Sequence, residues 1–371
     1  SAFFFFFRLG RDMLWDWDEC LYSQYSKEML ASGHFMSNMW NGYLDFQKPP
    51  LYSWLLQIPT AIFGQSEFGL RFLSVFGALG ILVVLYFFTS RYFSKTIALL
   101  SVLVLLTAEV FVIYSMKMNT DMLYVLFILS AIWAWFESYK KANFSYLAGL
   151  LFGLAVMVKG IGSVQFMGTL FFTVLLNPSR ERFLNYIKMV AICALVILPW
   201  HVVMYMTYGQ KFIQVYFWEN IVRRSQFPIE FHRERWWYYF LLLYRELKPW
   251  LFFAVGMPLA LLLGKSLRSL KSLKRLIHEN EHILSVALLI FLPLLSITKV
   301  QTRIAWYILP LYPFIAIWIG YSIHMCIEFI RDKANGKNSS QKSKIGIILL
   351  SLVSILLILD AGRLFLNEVK F

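Results

Sequence analysis

Charge is scarce in this sequence. Only 15% of its 371 residues are Asp, Glu, Lys or Arg, against about 25% in an ordinary soluble domain. That shortage excludes a disordered chain and a coiled coil, both of which need many charges. Cysteine is scarce too. Cys20, Cys193 and Cys326 stand far apart, with no CxxC and no Cys/His cluster. A disulfide scaffold and a zinc ribbon are excluded, and small buried apolar roles fit these residues better. Apolar residues dominate instead: 59% of the chain, with 35 Phe, 20 Tyr and 13 Trp. The solvent of such a chain is mostly lipid. Its net charge of +14 comes from 35 Lys and Arg against 21 Asp and Glu. No basic run is interleaved with aromatics on a soluble module, so no nucleic-acid partner is expected. The excess reads as basic loops facing anionic lipid headgroups, and membrane lipids are the expected surroundings.

A helix needs about 20 apolar residues to cross the hydrocarbon core. Apolar runs recur at 68–90, 96–115, 121–138, 145–159, 161–176, 187–206, 238–264, 283–298, 307–327 and 345–362. A shorter one, 51–63, fits a span or an interfacial helix. The opening SAFFFFFRLG is too short to span and lacks the basic start and small-residue cleavage site of a signal peptide. It reads as the outer end of a first span. The expected fold is therefore an all-α polytopic membrane protein of about 11–13 transmembrane helices. A single integral-membrane domain over 1–371 is expected. Its two long outer loops, 8–50 and 207–236, lie between spans.

Charges orient these spans. One set of short connectors holds Arg91, Lys95, Lys140, Lys141, Arg180, Arg182, Lys188, Lys265, Arg268, Lys271, Lys274, Arg275, Arg331, Lys333, Lys337, Lys342 and Lys344. By the positive-inside rule that side is cytoplasmic. The other side carries charges of mixed sign: Asp18, Glu19, Lys48, Lys117, Asp121, Lys159, Arg223, Arg224, His232, Lys299 and Arg303. Each charge near membrane depth costs about 2.5–3.5 kcal/mol on insertion scales. Several from different connectors point to a site, whereas any one alone is explained by snorkelling to headgroups.

In the first outer loop, 19–30 has helical composition, with Leu21, Tyr25, Met29 and Leu30 forming an apolar stripe. Such a helix lies along the interface, and Gly33 stops it. Lys48 precedes Pro49 and Pro50, which break any helix. The pattern DE-x2-Y-x5-EML-x-SG followed by KPPL is continued by NTDM at 119–122, VKG at 158–160 and PWH at 199–201. ENIVRR, His232 with WWYY at 236–239, PW at 249–250 and SITKVQTRIAWYILPLYP at 296–313 complete it in order. Together these resemble the membrane glycosyltransferases of the GT-C fold. The branch they resemble contains the protein O-mannosyltransferases and the aminoarabinose transferase of lipid A.

The resemblance implies an inverting transferase that moves a sugar from a polyprenyl-phosphate donor to a lipid, protein or glycan acceptor. Transfer occurs on the outer face of a plasma membrane, in bacteria the inner membrane, with the site facing the periplasm or exterior. A phosphate ester leaves readily, so cations to hold the phosphate and a carboxylate to orient or deprotonate the acceptor suffice. Asp18 is the expected acceptor-orienting base, and Asp121 the second catalytic carboxylate, with a helix N-cap as its structural alternative. Glu19 is expected either as an acceptor contact or as a support behind the residues that touch substrate. Lys48, Arg223 and Lys299 are phosphate candidates, and only one of Arg223 and Arg224 need face inward. His232 and Tyr307 are further substrate contacts, the latter equally readable as an aromatic-belt residue. Lys117 and Lys159 read as snorkelling. Many relatives carry glutamate before the Lys-Pro pair. Gln47 here can hydrogen-bond a substrate but supplies no charged metal ligand, so no metal or other cofactor is expected to be required. The alternative is a flippase of a lipid-linked saccharide, which predicts pseudo-repeats and broken helices near mid-membrane. No clear half-to-half match is visible.

Overall fold

The computed structural model describes residues 2–7, 9–15, 17–228, 234–248, 250, 253–254 and 280–335. The chain divides into two compact units, one of 1–84, 113–239 and 291–310, the other of 85–112, 240–290 and 311–371. The all-α, polytopic expectation is borne out. Among the described residues five helices are long and apolar enough to cross a membrane, six if one bent pair counts as a span. Three shorter apolar helices, Leu51–Phe63, Phe144–Lys159 and Ile161–Leu176, add to them. The expected span 345–362 and about half of 238–264 lie outside the described residues.

The first unit opens with α1 (Ala2–Phe7) and α2 (Asp18–Ser32). Acidic Asp18 and Glu19 fill the first turn of α2, where the helix dipole favours them, and Gly33 ends it in the left-handed region. The helix expected in the first loop is thus present, but only Tyr25 and Met29 of the expected stripe are buried. Glu19, Tyr22, Ser23, Tyr25, Ser26 and Met29 are buried, while Leu30 is 54% exposed. The reason is that α2 packs on protein, against β1 and α3.

A hairpin that the sequence reading left as loop follows. β1 (Asn38–Trp40) pairs antiparallel with β2 (Tyr43–Asp45), Asn38 opposite Asp45. Asn41 (φ 53°) and Gly42 (φ 78°) both adopt left-handed conformations, the requirement of a type I′ turn. Glu28 of α2 clamps this turn. Its carboxylate accepts the N–H groups of Asn41 (2.7 Å) and Gly42 (2.9 Å) and the Gln24 amide (2.6 Å). After Pro50, α3 (Leu51–Phe63) is too short to span and contains Pro59. Ser53 donates to Asn38 Oδ1 (2.6 Å), and Asn38 Nδ2 donates to the Lys48 carbonyl (3.1 Å), pinning the Lys-Pro-Pro segment.

The span α4 (Glu67–Tyr92) runs through both units. In the first unit come α7 (Asp121–Ser138), α8 (Phe144–Lys159), the short turn Ile161–Ser163, α9 (Val164–Leu176) and α10 (Arg180–Phe212). A side chain at Gly77 of α4 would lie 3.0 Å from the Met122 backbone, so α4 and α7 meet closely, and α8 packs against both α7 and α10. The segment 207–236, expected as a loop, is helical to residue 226. At Gly209 (φ 52°) the chain turns, then continues through a π-helical stretch, Ile213–Arg223. Aromatic packing holds it there. Phe212 and Tyr216 are buried with Phe46, Met157, Trp200 and Met204, and Trp200 Nε1 donates to the Met36 carbonyl (2.7 Å).

In the second unit α5 (Lys95–Leu106) starts at a Ser94 cap and packs along the helix Tyr312–Asn335. The expected span 96–115 is broken: α6 (Glu109–Ser115) departs from α5 by 74°. The break has its own satisfaction. Buried Glu246 accepts the Val110 N–H (3.1 Å), and Trp250 Nε1 donates to Thr107 Oγ1 (2.9 Å).

Candidate active site

The centre of the site is Tyr22, buried on α2 one turn after Asp18. Its hydroxyl accepts a hydrogen bond from the Lys48 ammonium, which also lies 4.7 Å from the centre of its ring. Burial, and then the negative charges of Asp18, Asp121 and Asp45, push this hydroxyl well above its ordinary pKa, against a Thr120 hydrogen bond that lowers it. Tyr25, one turn on, donates to Asp45 Oδ2. Burial and then Asp45 raise its pKa as well. Both phenols therefore stay protonated and serve as fixed hydrogen-bonding groups. Asp45 is held in turn by the Gln47 N–H (2.8 Å).

Asp18 is half-buried at the first position of α2, and among the described residues no hydrogen bond occupies its carboxylate. It acts electrostatically on Tyr22 and Tyr25, so it lies in the same field as Lys48. Asp121 is the first residue of α7 and 3% exposed. It does not serve as the helix cap. Asn119 does, its Oδ1 accepting the N–H groups of Asp121 (2.9 Å) and Met122 (3.1 Å). The Asp121 carboxylate is thereby left to pair with Lys159, at the end of α8. The Lys159 ammonium lies 5.5 Å from the ring of Tyr124 and 5.6 Å from that of Tyr307. Lys159 is thus a member of the cluster and not a snorkelling residue. The reason is that α7 and α8 pack side by side, with Asp121 at the start of one and Lys159 at the end of the other. Tyr307 is thereby placed beside Lys159.

Glu19, expected either to touch the acceptor or to support the site from behind, is fully engaged with protein groups. Its carboxylate takes both arms of Arg71 (2.8 Å each) and the N–H groups of Trp15 and Met118 (2.7 Å each). Burial alone would raise its pKa, but the Arg71 hydrogen bond, the two N–H groups and the Arg71 charge hold it below the ordinary glutamate range. Gln47 is exposed and contributes its backbone to the Asp45 turn. Arg223 is 56% exposed and pairs with Glu219 one turn earlier (2.6 Å), because the segment is a helix and its side chain points along that helix. Arg224 is the more buried of the two. Lys299 ends its helix exposed. The phosphate role expected of Arg223 and Lys299 thus finds no support in their placement. Lys117 lies over the Trp15 ring, and buried Arg303 donates to the carbonyls of Glu234 (2.6 Å) and Thr298 (3.0 Å). His232 lies outside the described residues.

Arg71, Tyr22, Tyr25, Asp45 and Asn119 carry structure here that the sequence reading did not assign. Arg71 was findable as an arginine inside an apolar run. Asp45 was not, because its neighbours come from α2.

Residues 47–205 match the family model for dolichyl-phosphate-mannose-protein mannosyltransferase. An uncharacterized protein of Aquifex aeolicus (strain VF5) is 32% identical over 226 residues, 59% of this chain and 45% of that one. The undecaprenyl phosphate-α-4-amino-4-deoxy-L-arabinose arabinosyl transferase 2 of Pseudomonas fluorescens (strain Pf0-1) is 28% identical over 360 residues, 92% of this chain and 61% of that one. This chain thus spans about half to three-fifths of these relatives' own length. Among solved structures, ArnT from Cupriavidus metallidurans bound to undecaprenyl phosphate superposes with a TM-score of 0.71 at 18% identity. The match covers 99% of this chain and 71% of that one. The expected resemblance to the mannosyltransferase and aminoarabinose transferase branch is borne out, and the fold is of the expected GT-C type.

Proposed function

We propose that this chain carries the membrane-embedded site of an inverting glycosyltransferase using a polyprenyl-phosphate-linked sugar. The observation that supports it is the convergence on Tyr22 of Asp18, Asp121 and Lys48, with Lys159 on Asp121. A lipid-phosphate leaving group needs cations where negative charge grows and one carboxylate at the attacking hydroxyl. Lys48 and Lys159 fit the first role, Asp18 the second. In the reaction an acceptor hydroxyl oxygen attacks the anomeric carbon and its proton passes to Asp18. The bond from that carbon to the phosphate oxygen breaks with its electron pair on phosphate. One displacement inverts the centre. Asp121 holds Lys159 in place, and neutral Tyr22 holds Lys48. No metal is required by this scheme, since the lysines balance the departing charge.

The acceptor is a hydroxyl or phosphate of an envelope lipid, protein or glycan. The protein sits in the plasma membrane, the inner one in a bacterium, with the site on the periplasmic or outer face. The test is transfer by the full-length protein in nanodiscs, from labelled polyprenyl-phosphate sugars to an envelope extract. Asp18→Asn and Lys48→Ala should each abolish labelling in protein that still folds. Absence of transfer with every donor, together with movement of the carrier lipid across a bilayer, would replace this reading with the flippase.

A further inference from the structure

One ion pair reaches every segment that carries a proposed catalytic carboxylate. Arg71 sits in the second turn of α4, 4% exposed, and grips Glu19 with Nε and Nη2 at 2.8 Å each. Its remaining N–H groups go to the carbonyls of Leu9 (3.3 Å), Asp12 (2.8 Å) and Met13 (2.8 Å), so the strand of chain leading into α2 is fixed to α4. Glu19 completes the joint. It accepts the Trp15 N–H on the near side and the Met118 N–H on the far side, each at 2.7 Å. Met118 precedes Asn119, the residue that caps α7 at Asp121. Three residues along α4 from Arg71, Ser74 exchanges hydrogen bonds with the backbone of Asn119: its hydroxyl donates to the carbonyl (3.4 Å) and accepts the N–H (3.2 Å). One face of α4 therefore grips the segment before Asp18 and the segment before Asp121.

We infer that the buried Glu19–Arg71 pair is a positioning device that fixes Asp18 and Asp121 relative to each other, and that neither Glu19 nor Arg71 touches substrate. This rests on the transferase reading for its kinetic consequence but not for its structural one. The carboxylate of Glu19 has no room for a further role, since both oxygens already carry two hydrogen bonds. A guanidinium is needed because only its planar fork can hold a carboxylate through two bonds and still reach three carbonyls. Asp18 takes its place from the next residue in the chain, and Asp121 from Asn119 two residues before it. A shift of about 1 Å in either would remove about a hundredfold in rate.

The experiment uses the full-length protein in nanodiscs as wild type, Arg71→Lys and the double variant Glu19→Gln/Arg71→Met, which leaves no lone buried charge. Hydrogen–deuterium exchange is read on peptides covering 9–20 and 113–122, with transfer kinetics beside it. The expected result is joint loss of protection in both peptides, at least about tenfold faster exchange, with α4 itself unchanged in its middle turns. Beside it, kcat should fall about a hundredfold while KM for the donor stays within about twofold. Unchanged exchange at 113–122 in both variants would overturn the device. So would a donor KM that rises as far as kcat falls, since Arg71 would then bind the donor itself. If the wild type transfers nothing, the transferase reading fails while the exchange data still decide the positional claim.

Discussion

Lys48 and Lys159 are held by different means, and that difference predicts how each responds to substitution. Lys48 rests on a neutral phenol and its ring, so its charge is undiminished by an anion in hydrogen-bond contact. Lys159 is paired with Asp121. Tyr22→Phe should keep the ring and lose the hydroxyl, lowering kcat/KM about tenfold, or about 1.4 kcal/mol, in a steady-state assay. An unchanged value would remove Tyr22 from the support of Lys48. Asp121→Asn and Lys159→Met should be non-additive, the double variant losing little more than the worse single one, as expected for two groups acting as one. Fully additive losses would separate them. Glu19 sets the acid limit of the joint with Arg71. Its folded-state pKa lies below the unfolded value, so its contribution is present above the ordinary glutamate range and is lost as pH falls below about 4. Exchange protection at 113–122 should therefore persist at neutral pH and vanish on acidification. Glu19→Gln should remove that pH dependence.

Among the elements, the hairpin carries a local signal, Asn-Gly, that the loop expectation for 8–50 does not use. Asn41-Gly42 is a favoured pair for a two-residue turn, and both residues adopt the left-handed conformation that the turn requires. Gly42→Val should cost about 1–2 kcal/mol for forcing a branched side chain there. It should also open 38–45 to limited proteolysis; an equally protected hairpin would contradict this. The helix α2 was legible for similar reasons, with acids in its first turn and Gly33 as its stop. The helical course of 210–226 was not legible, because Phe212 and Tyr216 are secured by Trp200 across the turn at Gly209 and by Phe46, a residue far away in the chain. The break between α5 and α6 was equally hidden. Its amide is satisfied by Glu246, 136 residues from Val110. Of the site, Asp18, Lys48 and Asp121 were readable from ordered motifs. Lys159 was underrated because its meaning depends on α7 and α8 lying side by side. Which of its two expected places Glu19 takes was not legible, because its partner is a span residue 52 positions later.

For the molecule as a whole, the prevalence of apolar helices and the scarcity of charge already implied a polytopic membrane protein, and the hydropathic runs mark most described spans to within a few residues. Composition could not reveal that some runs are short, bent or continued by further helix. Native Cys20 offers a direct test of orientation, being exposed beside Glu19 while Cys193 is buried. An impermeant maleimide should label Cys20 from the periplasmic or outer side only; labelling from the cytoplasmic side alone would reverse the proposed orientation. Chelation should also leave transfer rates unaltered, since lysines supply the positive charge; loss on EDTA treatment that added divalent ions restore would require a metal after all.

The Glu19–Arg71 pair also bears on how the chain is made. A lone arginine in a membrane helix costs up to about 3 kcal/mol to insert. Glu19 leaves the ribosome 52 residues before Arg71, so the counter-charge is already synthesised when α4 reaches the bilayer. The charge of Arg71 is thus answered entirely from chain made before it, and a chain lacking residues 9–19 would carry α4 without any of the groups that hold its arginine here.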